Sequence, residues 1–492
     1  MYPRLYTTLK TSTVLIGGAL LAQQAMASGY HFGTQSVSSQ STANASAAEA
    51  ADASTIFYNA AGMTKLPGTN ISGTLNIIMP NVKYKNAKGE YAPMAPGMPQ
   101  APIKGQDSGR ITKRALAVPH GYITHQINDQ WYAGLGIYVP FASATEYNRD
   151  SVLRYNVNKT GLTSIDINPT IAFKVNEQHS FAAGLIAQYS TAEIRQFANF
   201  TPLVNGAVMA GRYPANPNHP MGIYPDGSAD GWADIKGHDW GFGYNLSWMW
   251  DVNSDFRIGA NYRSKIEHTL KGDARWSITE GALPGTGAIV GEAPGAGYVN
   301  TDARVKIVTP ESVSLHAMYK VNPQWNVFGD VTWTRHSRFN QVDINYVDGG
   351  RVVSNGNGGQ AMADKTTLKP NWRDTYKVAL GASYQVTEPL QLRFGVAYDQ
   401  SPVRNAEERL STMPDSDRIW FSMGGKYDIN KNSSVNVAYS YLKIKDSSAN
   451  VNGWCGGPAT GDTTACVSSR TNGSADYKSY AQIVGVQYNY KF

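Results

Sequence analysis

The stretch YKVALGASYQVTEPLQLRFGVAY, residues 376–398, decides the fold class of this chain. Its first half alternates an apolar or aromatic set with a small or polar set: Tyr376, Val378, Leu380, Ala382, Tyr384 and Val386 against Lys377, Ala379, Gly381, Ser383 and Gln385. The second half alternates in the same way, and the turn VTEP separates the two. Because successive side chains of a strand point to opposite faces, the stretch predicts a β-hairpin with one apolar face.

The same alternation recurs along most of the chain. It predicts fourteen strands, near 68–80, 112–125, 129–147, 159–176, 178–197, 237–252, 254–274, 301–321, 323–346, 372–387, 389–402, 416–430, 433–446 and 477–492. Short turns alternate with long Gly- and Pro-rich loops at 199–236, 276–300, 346–370 and 447–475. An even strand number with this asymmetry is typical of an outer-membrane β-barrel. We therefore predict an all-β transmembrane barrel of fourteen antiparallel strands, closed by pairing of the first strand with the last.

Composition excludes other classes of protein. Charged residues are only 16%, and no basic run is dense enough to suggest a nucleic-acid partner. No window offers the 18 apolar residues that a membrane-spanning helix needs. A secreted β-sandwich or propeller is the competing fold, but its outward faces should be polar rather than Tyr, Val, Phe and Leu.

The N-terminal region is predicted to contain a signal peptide and a plug. Residues 1–27 combine basic residues, a short apolar run and an Ala-Met-Ala cleavage site, as a secretory signal peptide does. Residues 28–67 are small and polar and do not alternate. We expect them to form a helical plug inside the lumen, because an open barrel of this size would be an aqueous channel. Residues 68–492 then form the barrel.

Several long stretches resemble the FadL family of outer-membrane transporters of long-chain fatty acids and other hydrophobic compounds. They include INDQWYAGLGIYVPFASATEYN, NWRDTYKVALGASY and the plug segment DASTIFYNAAGMTKL. The resemblance implies a monomeric fourteen-stranded barrel in the outer membrane of a Gram-negative bacterium, surrounded by outer-membrane lipid and lipopolysaccharide. It also implies a hydrophobic cargo that leaves sideways through the barrel wall. The last residue, Phe492, resembles the C-terminal aromatic that the barrel assembly machinery recognises.

Ligand-binding candidates are cations on the inward face. Arg263 and Arg393 oppose the apolar parity of their strands. The ligand-binding arginine of the family falls on Gln196, with Arg195 just before it, so Arg195 serves only if a bulge reverses its face. Ser28, Tyr30 and Phe32 resemble the family's N-terminal tail beside the binding pocket.

The gate candidates lie in the third strand and in the plug. Pro140 interrupts a strand that otherwise reads continuously, and proline cannot donate to a β-ladder. The resemblance places the lateral opening at Val139, Pro140, Phe141 and Ala142. Asn59, Ala60 and Ala61 stand where the family has Asn-Pro-Ala facing this kink, and we expect Asn59 to bond a freed backbone group there.

No catalytic constellation emerges, so we predict a non-enzyme without metal or cofactor. Cys455 and Cys466 are expected to form a local disulfide in an exported protein. The predicted function is passive, ligand-gated uptake of long-chain fatty acids with lateral exit at the third strand. Uptake of uncharged aromatic or alkane hydrocarbons by the same route is the main alternative. A general porin, or an adhesin or phage receptor, is a further one.

Overall fold

The computed structural model describes residues 33–91, 101–278, 283–292, 300–347, 351–354, 360–363, 365–453, 466–467, 469 and 471–492. The predicted signal peptide, residues 1–27, lies outside these ranges. Within them, no helix is long and apolar enough to cross a membrane.

Fourteen antiparallel strands form the wall over the described residues, and several are interrupted by short irregular segments. They are β1 (Thr69–Tyr91), β2 (Gly109–Arg110 and Leu116–Gln126), β3 (Trp131–Glu146), β4 (Lys159–Lys174), β5 (His179–Asn199), β6 (Asp230–Asp251), β7 (Phe256–Arg263 and Ile266–Ile278), β8 (Thr301–Thr309 and Ser312–Lys320), β9 (Trp325–Thr334 and Val342–Tyr346), β10 (Lys365–Lys369 and Thr375–Gln385), β11 (Leu390–Asp399), β12 (Arg418–Asn430), β13 (Ser433–Ile444 and Ser447–Val451) and β14 (Thr471–Lys491). Arg351–Ser354 and Gln360–Ala363 form a separate hairpin, and Cys466–Val467 adds a short strand to the outer part of β10.

The barrel is closed by β1 and β14, which pair from Asn70↔Lys491 to Tyr91↔Thr471. This confirms the predicted closure and the strand number. Several strand bounds were predicted too short: β6 begins at Asp230 rather than 237, and β14 at Thr471 rather than 477. The missing portions lie toward the loops, where most outward residues are polar or charged, so the apolar alternation stops before the strand does.

The two faces of the wall differ as the alternation predicts. On β14, Val484, Val486 and Tyr488 are 37–49% exposed, whereas the intervening Gln487 is fully buried. On β11 the aromatic Phe394 is 45% exposed and the adjacent Arg393 is 1% exposed. Apolar side chains therefore face lipid and polar ones face the lumen, the reverse of a soluble protein.

The plug is a set of one-turn helical segments inside the barrel. They are α1 (Val37–Gln40), a 3₁₀ turn (Ala47–Glu49), α2 (Thr55–Tyr58) and a second 3₁₀ turn (Ala60–Lys65). The Ser36 side chain caps α1 by accepting from Ser39 N–H at 3.2 Å. Ala43 and Asn44, shortly after α1, and Ala50, directly after the first 3₁₀ turn, adopt positive φ, so these two segments stay short.

Ionic contacts fix the plug to the wall. Arg393 binds both carboxylate oxygens of Glu49, at 2.5 and 3.1 Å, and its Nε donates to Ser41 at 3.0 Å. Lys65 pairs with Asp251, which Arg257 also contacts. The plug backbone also lies so close to β11 that a Cβ at Gly395 would be 2.1 Å from the carbonyl carbon of Thr42.

The loop end of the barrel is narrowed by residues 400–417, which fold inward between β11 and β12. Leu410, Ser411 and Thr412 are buried. Tyr147 donates to the Ser411 carbonyl and Thr145 donates to the Thr412 carbonyl, both at 2.6 Å. This loop and the plug together enclose the lumen.

We expect Arg393→Gln to loosen the plug while the barrel still folds. Breaking a buried ion pair costs about 3–5 kcal/mol because it leaves a buried charge without its partner. Planar-bilayer recordings should show a rise in conductance over the unaltered protein. Arg275→Gln is the control, since Arg275 and its partner Asp273 are 69% and 43% exposed. Unchanged conductance in a folded Arg393→Gln barrel would contradict the anchoring role.

Candidate functional site

Two adjoining cavities occupy the lumen between the plug and the loop end. The apolar cavity, toward the loops, has an empty volume of about 900 Å³ and a lining dominated by Leu162, Ala192, Ile194, Ile235, Leu270, Val305, Ile307, Phe339, Val342, Leu368 and Met413. The polar cavity, next to the plug, has an empty volume of about 1080 Å³. Thr309 lines both. The plug contributes Phe57 and Tyr58 to the polar cavity, and β3 contributes Pro140 and Phe141.

Arg263 lies in the wall of the polar cavity, as its inward parity predicts. Its Nη2 donates to Asp166 at 2.7 Å. The guanidinium also lies over the rings of Phe57 and Tyr138, 4.7 and 5.3 Å from their centroids. Arg263 is thus paired with a carboxylate but keeps one edge toward the cavity.

Lys377 is a second cation of the polar cavity, and the site prediction missed it. Its Nζ lies 4.4 Å from the centroid of the Trp420 ring. Among the residues that the structure describes, Lys377 forms no ion pair within 4.0 Å, although Asp330 and Asp399 also line this cavity. The alternation of β10 already placed Lys377 on the face opposite Tyr376 and Val378. The sequence does not indicate whether a carboxylate forms an ion pair with Lys377, so its lack of such a partner could not be predicted.

Arg195 does not reach the lumen. The register of β5 with β6 runs without interruption from His179↔Trp250 to Asn199↔Asp230, so no bulge reverses its face. Arg195 instead binds Asp234 at 2.7 Å and Glu146 at 2.9 Å on the outer side of the wall. Gln196 faces inward, is 6% exposed and lies 3.4 Å from the Tyr155 carbonyl.

Arg393 faces inward as predicted but does not line either cavity. Both of its terminal nitrogens are engaged by Glu49 and Gln391, and it is almost completely buried against the plug. A plug carboxylate occupies its guanidinium here, and its assignment to the ligand stays a prediction.

β3 is broken at Pro140, and the break opens the ladder on the β2 side. Pairing with β4 shifts between Tyr138↔Asp166 and Phe141↔Ser164, so Val139 and Pro140 form a bulge. Ladder pairs with β2 end at Gly121↔Ile137. Within residues 101–278, all described, the next backbone contact between the two strands is Glu146 N–H to the Ile111 carbonyl, at 2.9 Å. Residues 138–145 therefore border a gap in the wall, as the proline predicted.

Two side chains bond the backbone groups of Val139 at the break. The Gln35 amide, at the start of the plug, donates to the Val139 carbonyl at 2.8 Å. Val139 N–H donates to Nδ1 of His120 on β2 at 3.3 Å, which requires the His120 proton to be on Nε2. All three residues are buried. Neither Gln35 nor His120 was expected here, since the contacts join segments that are far apart in sequence.

Asn59 contacts the opposite wall, so the expectation that it bonds the break was wrong. Its amide donates to the Trp248 carbonyl at 2.9 Å and lies 2.7 Å from Nε2 of His316. Its side-chain oxygen accepts from Ala61 N–H and thereby caps the second 3₁₀ turn. Ala60 and Ala61 are buried in a cluster that includes Tyr138, one residue before the break.

Other predicted site residues lie outside the described ranges or on their edge. Ser28, Tyr30 and Phe32 lie outside them, as does Cys455. Cys466 is buried and pairs with Lys369. The disulfide and the N-terminal tail therefore stay predictions.

Comparison with known proteins identifies relatives over the whole length. The family described as "Outer membrane protein transport protein (OMPP1/FadL/TodX)" matches residues 18–492. "Putative outer membrane protein NMB0088" of Neisseria meningitidis serogroup B is 49% identical over 488 residues, 99% of each chain. A "Long-chain fatty acid transport protein" of Escherichia coli O6:H1 is 28% identical over 442 residues, 89% of this chain and 91% of that protein.

Solved structures share the fold. A FadL homologue of Pseudomonas aeruginosa aligns with a TM-score of 0.76 and 22% identity, covering 94% of this chain and all of that one. The toluene transporter TbuX of Ralstonia pickettii aligns with a TM-score of 0.60 and 16% identity, covering 94% of this chain and 99% of that one.

We expect Gln35→Leu to loosen the wall locally at the break. The Val139 carbonyl would lose its donor, and an unsatisfied buried group costs about 1–3 kcal/mol. Hydrogen-exchange mass spectrometry should show exchange in residues 138–142 accelerated roughly tenfold or more.

The matched control is Gln40→Leu. Gln40 is also a buried plug glutamine, but it donates to the Ile483 carbonyl in an unbroken ladder. Equal acceleration of 138–142 in both variants would show that Gln35 has no particular role at the break.

Proposed function

The chain belongs to the OMPP1/FadL/TodX family of outer-membrane transport proteins for hydrophobic compounds, and we propose that its cargo is a long-chain fatty acid that exits sideways at the break in β3. The observation that carries this proposal is the apolar cavity adjoining a polar cavity that contains Lys377. A fatty acid has the same two parts, an alkyl tail and a carboxylate.

Each part of the ligand has a complementary site. Burial of the tail contributes at most ~0.8 kcal/mol for each methylene. The carboxylate must be offered a cation, because desolvating it without a partner is costly. Lys377 is the residue we assign to it.

The lateral route is supported by the closed axial path and the gap in the wall. Arg393 with Glu49 and Lys65 with Asp251 hold the plug across the lumen. The polar cavity instead reaches Pro140 and Phe141, which border the gap between β2 and β3. Leu116, Val118, Val139 and Ala142 are buried beside this gap, in an apolar cluster that also includes Ala43 and Ala45 of the plug. Diffusion down a concentration gradient needs no energy source.

Uptake of an uncharged aromatic or alkane hydrocarbon is the second candidate. Two observations favour it: the position of the family's arginine is the neutral Gln196, and Arg263 is already neutralised by Asp166. One structural relative is described as a toluene transporter. Whether the purified protein binds a fatty acid more tightly than its uncharged methyl ester distinguishes the two candidates.

We expect Lys377→Met to weaken fatty-acid binding by about tenfold or more, because a charge-assisted hydrogen bond contributes about 1.5–3 kcal/mol. Binding of the corresponding methyl ester should not change. A fluorescence competition assay with both ligands measures this difference directly.

Lys306→Met is the control, since Lys306 is an exposed lysine on the outer face of β8. If the unaltered protein binds acid and ester equally and Lys377→Met changes neither, the cargo is an uncharged hydrocarbon and the fatty-acid proposal fails.

We expect Ala142→Trp to reduce uptake of labelled fatty acid by whole cells to the background of cells lacking the protein. Ala142 is fully buried in the apolar cluster beside the gap, so a large side chain there should obstruct the proposed exit. Heat-modifiable migration on gels verifies that the barrel is folded.

Leu185→Trp is the matched control, because Leu185 is 70% exposed on the lipid face of β5. Full uptake by a folded Ala142→Trp barrel would contradict the lateral route.

A further inference from the structure

A row of cations crosses the outer surface at the junction of β14, β1 and β2. Lys478 is directly opposite Lys83, and Lys83 is directly opposite Arg110. Lys83 and Lys478 are exposed, and Arg110 is half-buried with its guanidinium on the Pro80 carbonyl. We call these three residues the basic row.

The basic row has no counterion in the part of the chain that the structure describes. Neither Lys83 nor Lys478 forms an ion pair within 4.0 Å. The nearest carboxylate along β14, that of Asp476, accepts hydrogen bonds from Asn86 and Ser448 instead. Like charges directly opposite one another destabilise a sheet. An anion from outside the protein would relieve this repulsion.

The height of the row matches the lipid headgroups on the loop side. Lys478 precedes Phe492, at the turn end, by fourteen positions. At about 3.4 Å per residue and a tilt of about 40°, it stands roughly 36 Å above that end, beyond an apolar band about 25 Å tall. Val484 and Val486 lie in the band below it, and the exposed Lys443 on β13 extends the positive surface beside it.

We propose that the basic row binds the phosphate groups of the phosphorylated glycolipid in the outer leaflet. Lysine ammonium groups are suited to phosphate, and adjoining cations at a membrane surface attract anionic headgroups. The lipid-facing side chains of β14 and β1 below the row offer an apolar surface to the acyl chains of the same molecule. This inference does not rest on the proposed cargo.

A second cation pair on the wall supplies the comparison. Lys271 and Arg304 are exposed and directly opposite each other on β7 and β8. Beside them, however, Asp273 is directly opposite Asp302, so these four residues have two positive and two negative charges, although Asp273 also pairs with Arg275. The equivalent group at the basic row, in which Lys85 is opposite Asp476, has three cations and one anion.

The test measures binding of diphosphoryl lipid A to the full-length protein in detergent, by native mass spectrometry. We expect the unaltered protein to bind it and the variant with Lys83→Gln and Lys478→Gln to bind about tenfold more weakly. The variant with Lys271→Gln and Arg304→Gln should bind as the unaltered protein does. Lipid A with both phosphates removed should not bind to the unaltered protein or to either variant.

Each alternative outcome overturns the proposal. Undiminished lipid A binding by the first variant, or equal loss in both, would show that the row is not the site. Equal binding of dephosphorylated lipid A would exclude phosphate recognition, and equal binding of phosphatidylglycerol would exclude a glycolipid site. Thermal unfolding in lipid-free detergent is a further check: removing the repulsion should leave the first variant at least as stable, whereas a structural role would lower its stability.

Discussion

The structure depends on one constraint: a backbone N–H or C=O group in lipid must find a partner within the protein. Closure of β1 on β14 meets it around the circumference, with pairing along nearly the full length of both strands. The break in β3 is an exception to this pairing, and nearby side chains replace the missing ladder hydrogen bonds of Val139. The Gln35 amide and the His120 ring bond the two backbone groups of Val139. Side-chain hydrogen bonds therefore hold this part of the wall, and two such bonds break more readily than a continuous ladder of backbone hydrogen bonds.

The same constraint shapes the lumen. Because the wall turns its polar face inward, the interior contains charges that need partners, and both the plug and the wall supply them. Glu49 serves Arg393, and the Asp166 carboxylate from β4 serves Arg263. Against this background Lys377 is distinctive, since it lies on an aromatic ring and forms no ion pair among the described residues. This lack of an ion pair is the reason that Lys377 is proposed to contact the ligand.

The sequence predicted what depends on a single strand. Period-two alternation located all fourteen strands, and Pro140 located the break, because both follow from the local chemistry of the backbone. Contacts across the lumen could not be predicted in this way. Asn59 was expected at the break and bonds the opposite wall, since a plug without periodicity gives no register against the strands. The predicted role of Arg195 depended on the presence of a bulge, and that of Arg393 on whether a plug carboxylate reached it. The sequence of one strand encodes neither of these features.

The order of the two cavities bears on how firmly a carboxylate should be held. On the proposed route, a ligand that arrives from the loops meets the apolar cavity first, and the polar cavity borders the proposed exit at Pro140. A carboxylate bound too tightly beside the exit would stop transport, because release into the membrane must reverse every contact that capture made. Asp330 and Asp399 face the same cavity as Lys377 and lower its positive potential. Trp420 contributes an attraction weaker than that of a carboxylate. If the proposed cargo is correct, Lys377 would therefore orient the head group without retaining it, as the proposed passive transport requires.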